Sequence, residues 1–133
     1  MRQSTHVPLL VALSVCLACA PSGDGTTILA PGQEVLPDAN LHLRFVGVSS
    51  DSRCAPYEDC LWAGNAAVEI ELAIGTDPPN PYTLNTYLDP KSVDFAGYRV
   101  TLADLTPHSP SCRTASQSDY RAHLLVTPPP AVP

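Results

Sequence analysis

The chain has 133 residues, fifteen of them proline, and carries thirteen acidic against seven basic side chains. That length suits one domain and not two, and the acidic balance argues against nucleic acid, whose binding depends on Lys and Arg neutralising phosphates, and against an electrostatic grip on anionic lipid. The prolines argue against a long helical architecture, whereas Val, Ile, Leu, Tyr and Thr in short runs are the composition of strands.

In chain order, residues 1–18 read as an export leader: Arg2, then an apolar stretch from Val7 to Ala18. That stretch is shorter than the roughly 20 residues a membrane-spanning helix needs. It closes on Cys16-Leu17-Ala18-Cys19, which resembles a bacterial lipobox. The resemblance implies cleavage after the small residue Ala18 and attachment of a diacylglycerol to the Cys19 thiol. Cys16 departs from the motif, where Leu is commoner. Ordinary signal-peptidase cleavage after Ala20 would leave Pro21 first, a poor substrate; plain secretion with Cys19 as an ordinary thiol is the alternative. Cys16 and Cys19 have the spacing of a redox or metal pair, but Cys16 would leave with the leader. By resemblance to Gram-negative sorting, Ala20 rather than Asp after the lipid cysteine implies the outer membrane. Arg2 goes with the leader, so the mature chain keeps six basic and thirteen acidic side chains, a net charge of −7.

Residues 19–26 are rich in Ser, Gly, Asp and Thr and read as a flexible tether. The domain is expected over residues 27–127, followed by a disordered Pro-rich tail, 128–133, that cannot join a ladder. Apolar residues recur with period two within the domain. One interrupted edge strand is expected between Ile28 and Val35, broken at Pro31-Gly32. Leu41, Leu43 and Phe45, with Val48 beyond, mark a strand entered through Pro37-Asp38-Ala39-Asn40. Val68, Ile70, Leu72 and Ile74 mark another, with Glu69 and Glu71 on its wet face. Tyr82, Leu84, Thr86 and Leu88 form a run between Pro78-Pro79 and Asp89-Pro90. Tyr98, Val100 and Leu102 form the next, with Arg99 and Thr101 outward, and Tyr120, Ala122, Leu124 and Val126 close the domain. Six or seven short strands with turn signals between them predict an all-β fold, a small antiparallel sandwich or small barrel.

The segment from Asp51 to Ala66 is unlike the rest. Cys54 and Cys60 bracket five residues that include Pro56. In an exported protein a disulfide is permitted there, and so small a ring is worth about 2 kcal/mol. Cys112 is the third mature cysteine beyond Cys19, so three pairings are open. If Cys54 and Cys60 pair, Cys112 is a free thiol beside Arg113. Trp62 follows Cys60 by two and would lie on the same side of an extended chain, over the disulfide and one end of the core. Gly64-Asn65 supplies a turn or bulge. Asp51 and Arg53 flank Ser52 and could pair with each other or buttress the loop; as an exposed pair they would be worth little. With Asp51, Ser52, Arg53, Cys54, Cys60, Trp62, Ala63 and Gly64, the segment resembles the signature of a family of small, uncharacterised exported bacterial proteins, many of them lipoproteins. Ala55 stands where that family usually has proline. The resemblance implies a β-rich domain, covers Gly32 to Val126 and carries no known activity.

The chemistry-bearing residues assemble into no catalytic motif. There is no Gly-x-Ser-x-Gly, Ser-x-x-Lys or His-Glu-x-x-His, so no catalytic residue, cofactor or nucleic acid partner is expected. His42 and His123 would share a metal only if their strands were neighbours. Asp51, Glu58 and Asp59 lack the order of a calcium loop. The expected function is a non-catalytic, lipid-anchored envelope module that binds an envelope protein or polymer or packs there, with Asp51, Arg53 and Trp62 as the candidate binding loop. Two alternatives are a protease inhibitor presenting the Cys54–Cys60 loop beside Arg53, since a preorganised loop raises affinity, and a metal-binding periplasmic protein.

Overall fold

A computed structural model describes residues 25–54, 61, 63–108 and 115–131. Among them run eight strands: β1 (Thr26–Leu29), β2 (Glu34–Asp38), β3 (Leu41–Asp51), β4 (Ala66–Ile74), β5 (Asn80–Asn85), β6 (Ser92–Phe95), β7 (Tyr98–Thr106) and β8 (Arg121–Thr127). They form two four-stranded sheets, ordered β1-β8-β7-β6 and β2-β3-β4-β5. Every pairing is antiparallel. Two separate sheets make the fold a sandwich and not a closed barrel.

The alternation expected of β4 holds: Ala66, Val68, Ile70 and Leu72 are buried, while Ala67, Glu69 and Glu71 are not. They meet Leu41, Leu43 and Phe45 of β3, Leu84 of β5, Val100 and Leu105 of β7, and Ala122 and Leu124 of β8 in one core. Each fully buried Val, Leu, Ile or Phe contributes about 1.5–3 kcal/mol, and among the described residues ten such side chains reach that state. On the wet face of β4, Glu69 accepts hydrogen bonds from the Ser49 and Thr83 hydroxyls at 2.8 Å each.

The prolines lie where such a sheet tolerates them. β3, β4, β7 and β8 contain none, whereas Pro37 and Pro81 sit in the edge strands β2 and β5, and Pro31 and Pro90 flank the edge strands β1 and β6. Proline has no N–H for a ladder and blunts an exposed edge against pairing with another chain.

Several expectations need correction. The interrupted edge strand is two strands, one in each sheet. Pro31 and Gly32 (φ 85) occupy the centre of a turn closed by the Gln33 N–H on the Ala30 carbonyl, the residue pair a type II turn requires, and it carries the chain across the sandwich. β6 was not expected; it forms a hairpin with β7 through Ala96 and Gly97, both at positive φ. Two positive φ values match the twist of a two-residue hairpin, but alanine seldom adopts one. The run from Tyr82 ends as a strand at Asn85, and Leu88 is exposed. β7 continues past Leu102 through a register shift that brings Leu105 into the core. The ladder already includes Thr26, and residues 128–131 follow β8 with Pro129 against the β6–β7 turn.

β3 carries two register shifts of its own, between Phe45 and Gly47 and between Val48 and Ser50. There the Gln117 side chain serves as a strand partner: its amide oxygen accepts the Val48 N–H at 3.0 Å and its amide nitrogen donates to the Val48 carbonyl at 2.7 Å. Gly47 leaves the room, since a Cβ there would lie 2.9 Å from the amide oxygen. Gln117→Ala strands both backbone groups and is expected to lower unfolding free energy by about 1–3 kcal/mol, read from urea denaturation; an unchanged midpoint would mean that water replaces the amide.

Candidate functional site

The ends of the sandwich differ. At one end lie the Ala39-Asn40, Gly75–Pro79 and Ala96-Gly97 turns, together with the points where the chain enters β1 and leaves β8. The Gly25 carbonyl there accepts the Val126 N–H. The Tyr98 hydroxyl donates to Asp38 at 2.6 Å and joins the two sheets. That bond lowers the Asp38 carboxyl below its usual range and raises the Tyr98 phenol. At the other end lie the β3–β4 connection with Cys54, the β5–β6 connection and the β7–β8 connection. This loop end is the candidate site.

Its base is built from the distinctive segment. Ser52 and Asn65 face each other across the foot of the β3–β4 connection. The Ser52 N–H and hydroxyl both donate to the Asn65 carbonyl, at 2.8 and 3.0 Å, and the Asn65 N–H reaches the Ser52 hydroxyl oxygen at 3.0 Å. Gly64, at φ 68, lets the strands approach this closely. The Asn65 side chain reaches the neighbouring connection: its amide nitrogen donates to Asn85 Oδ1 at 2.9 Å, and its oxygen accepts the Tyr87 and Leu88 N–H groups at 2.9 and 3.1 Å. Those two bonds pull the chain out of the β5 ladder and turn Leu88 toward solvent. Thr86 adds a bond in each direction with Ala66.

Asp51 and Arg53 hold the base to the other sheet: they pair with each other and buttress the loop, and only the expected exposure of the pair is corrected. Their side chains are only 8% and 10% exposed. The Arg53 guanidinium grips the Asp51 carboxylate through Nε at 2.9 Å and through a second nitrogen at 2.8 Å, a two-point geometry arginine alone provides. Its remaining terminal nitrogen donates to the Leu105 carbonyl of β7 at 2.9 Å, and the Tyr120 hydroxyl donates to Asp51 at 3.0 Å. Three sequence-distant elements therefore meet on one ion pair. Burial pushes the Asp51 carboxyl upward, but the bonds from the Arg53 side chain and backbone and from Tyr120, with the guanidinium charge, outweigh it and leave it below the usual range. Burial, and then the bond to Asp51, raise the Tyr120 phenol.

A folded-state value below the unfolded one means the stabilisation is complete above the ordinary carboxylate value, about 3.9, and is lost as pH falls through the folded value. Asp51→Asn is thus expected to remove part of the acid-induced loss of stability below about pH 4, seen in melting temperatures along a pH series. An acid limb as steep in the variant as in the parent would assign that loss to other carboxylates.

The residues of the candidate loop fall into two groups. Asp51 and Arg53 face the sandwich and brace it. Cys54 is half-buried where the chain leaves β3 for the connection. Cys60, Cys112, Trp62, Glu58 and Asp59 lie outside the described residues, as do the leader and Cys19. What the loop end exposes instead is an apolar set of which the sequence singled out only Leu88, and that as a strand residue: Leu61 at 90%, Tyr87 at 60% and Leu88 at 55%. With Ser52, Ala63, Gly64 and Asn65 they line a hollow of about 480 Å³.

The two strand histidines do not come together. His42 lies on β3 and His123 on β8, in different sheets. The His42 Nδ1 meets Glu34 at 2.6 Å, and the His123 Nε2 lies 3.5 Å from the Thr106 hydroxyl. The shared metal site conceived for them has no geometric basis. Among the described residues, no three His, Cys, Asp or Glu side chains converge as metal ligands.

Fold and loop end together define the class: a small all-β sandwich whose cysteine-bearing connection is braced on both sheets. No protein-family model, no curated protein and no solved structure matches the chain.

Proposed function

We propose that this protein is a lipid-anchored, non-catalytic module of the bacterial cell envelope that holds its loop end away from the membrane toward an envelope protein or polymer. The observation that supports this reading is the placement of the chain's entry and exit at the end opposite the Cys54 connection. The stretch from Cys19 to Gly25 spans about 20 Å at full extension. A lipid on Cys19 would keep the turn end near the bilayer and leave Leu61, Tyr87 and Leu88 on the far side. An exposed apolar group on a well-braced base is the usual form of a surface that meets a partner. A Cys54–Cys60 pairing, cleavage before Cys19 and outer-membrane sorting belong to the same reading, as does the resemblance of the Asp51–Gly64 segment to exported bacterial proteins.

The test is the intact mass of the protein extracted from membranes, with Cys19→Ser alongside. The expected parent begins at Cys19, carries two or more acyl chains and partitions into detergent. Two chains anchor stably where one is marginal. The variant should carry none. An unmodified Cys19 in membrane-derived protein ends the reading, and the same spectrum counts the free thiols.

A further inference from the structure

We draw no further inference here: the strongest candidate, the apolar hollow at the loop end between residues 63–65 and Tyr87-Leu88 with Leu61 at its rim, belongs to the surface already described, and nothing in the structure shows what covers it.

Discussion

Arg53→Ala is expected to lower the unfolding free energy by about 2–3 kcal/mol, short of the roughly 3–5 kcal/mol for breaking a fully buried pair because this one is part-buried. The guanidinium does three things that alanine cannot. It neutralises the Asp51 carboxylate, supplies that carboxylate with two hydrogen bonds, and satisfies the Leu105 carbonyl. Its loss leaves Asp51 with the Tyr120 hydroxyl and the Arg53 backbone N–H as donors, in a place water barely reaches. Most of the cost is the stranded charge and not the lost attraction. The double variant Asp51→Leu/Arg53→Met should therefore be more stable than Arg53→Ala alone, although it removes more polar groups. Urea denaturation at neutral pH separates the cases. A loss below about 1 kcal/mol for Arg53→Ala would put this pair among exposed surface pairs and remove the argument that it braces the loop end.

The same pair shows how far the sequence could be read. Asp51-Ser52-Arg53 stands out as a motif, and its pairing follows from spacing. Its burial does not, because burial depends on Leu105 and Tyr120, which come from β7 and the far side of the β7–β8 connection. Period-two patterning found the central strands β3, β4, β7 and β8, since each buries one face and leaves the other wet. It fared worse at the edges. β1 and β6 are four residues each, too short for a period to register. The β6–β7 turn uses alanine at a φ of 50, where glycine or asparagine would have announced a hairpin. Leu88 misled for a different reason: its alternation with Tyr82 and Leu84 is genuine, but the Asn65 side chain captures the backbone before the strand can continue. A side chain twenty-three residues away overrides a local pattern, and no window of sequence contains both. The histidines mark the same boundary. Pairing His42 with His123 required strand order, which patterning does not supply.

Gly64→Ala is expected to cost about 3 kcal/mol or more, most of it from contact and less from conformation. The left-handed φ alone costs an alanine about 1–2 kcal/mol. At Gly64 a Cβ would also press into the Ser52 carbonyl and lie 2.9 Å from Arg53 Cα. Those are backbone atoms, so no side chain can rotate away. The strand must move and stretch the bonds between Ser52 and Asn65. Gly75 provides the control: it is also left-handed, at φ 55, but a Cβ there meets nothing within 4 Å. Gly75→Ala should show the conformational cost alone, and the difference between the two variants measures the close approach. Because any shift of Ser52 carries Arg53 with it, Gly64→Ala and Arg53→Ala should combine to less than the sum of their separate effects, as coupled neighbours do. Equal losses at Gly64 and Gly75 would show that the close approach costs nothing; strict additivity with Arg53→Ala would show that the hydrogen-bonded foot and the ion pair act independently, and the loop end would then be held at two separate points and not as one rigid base.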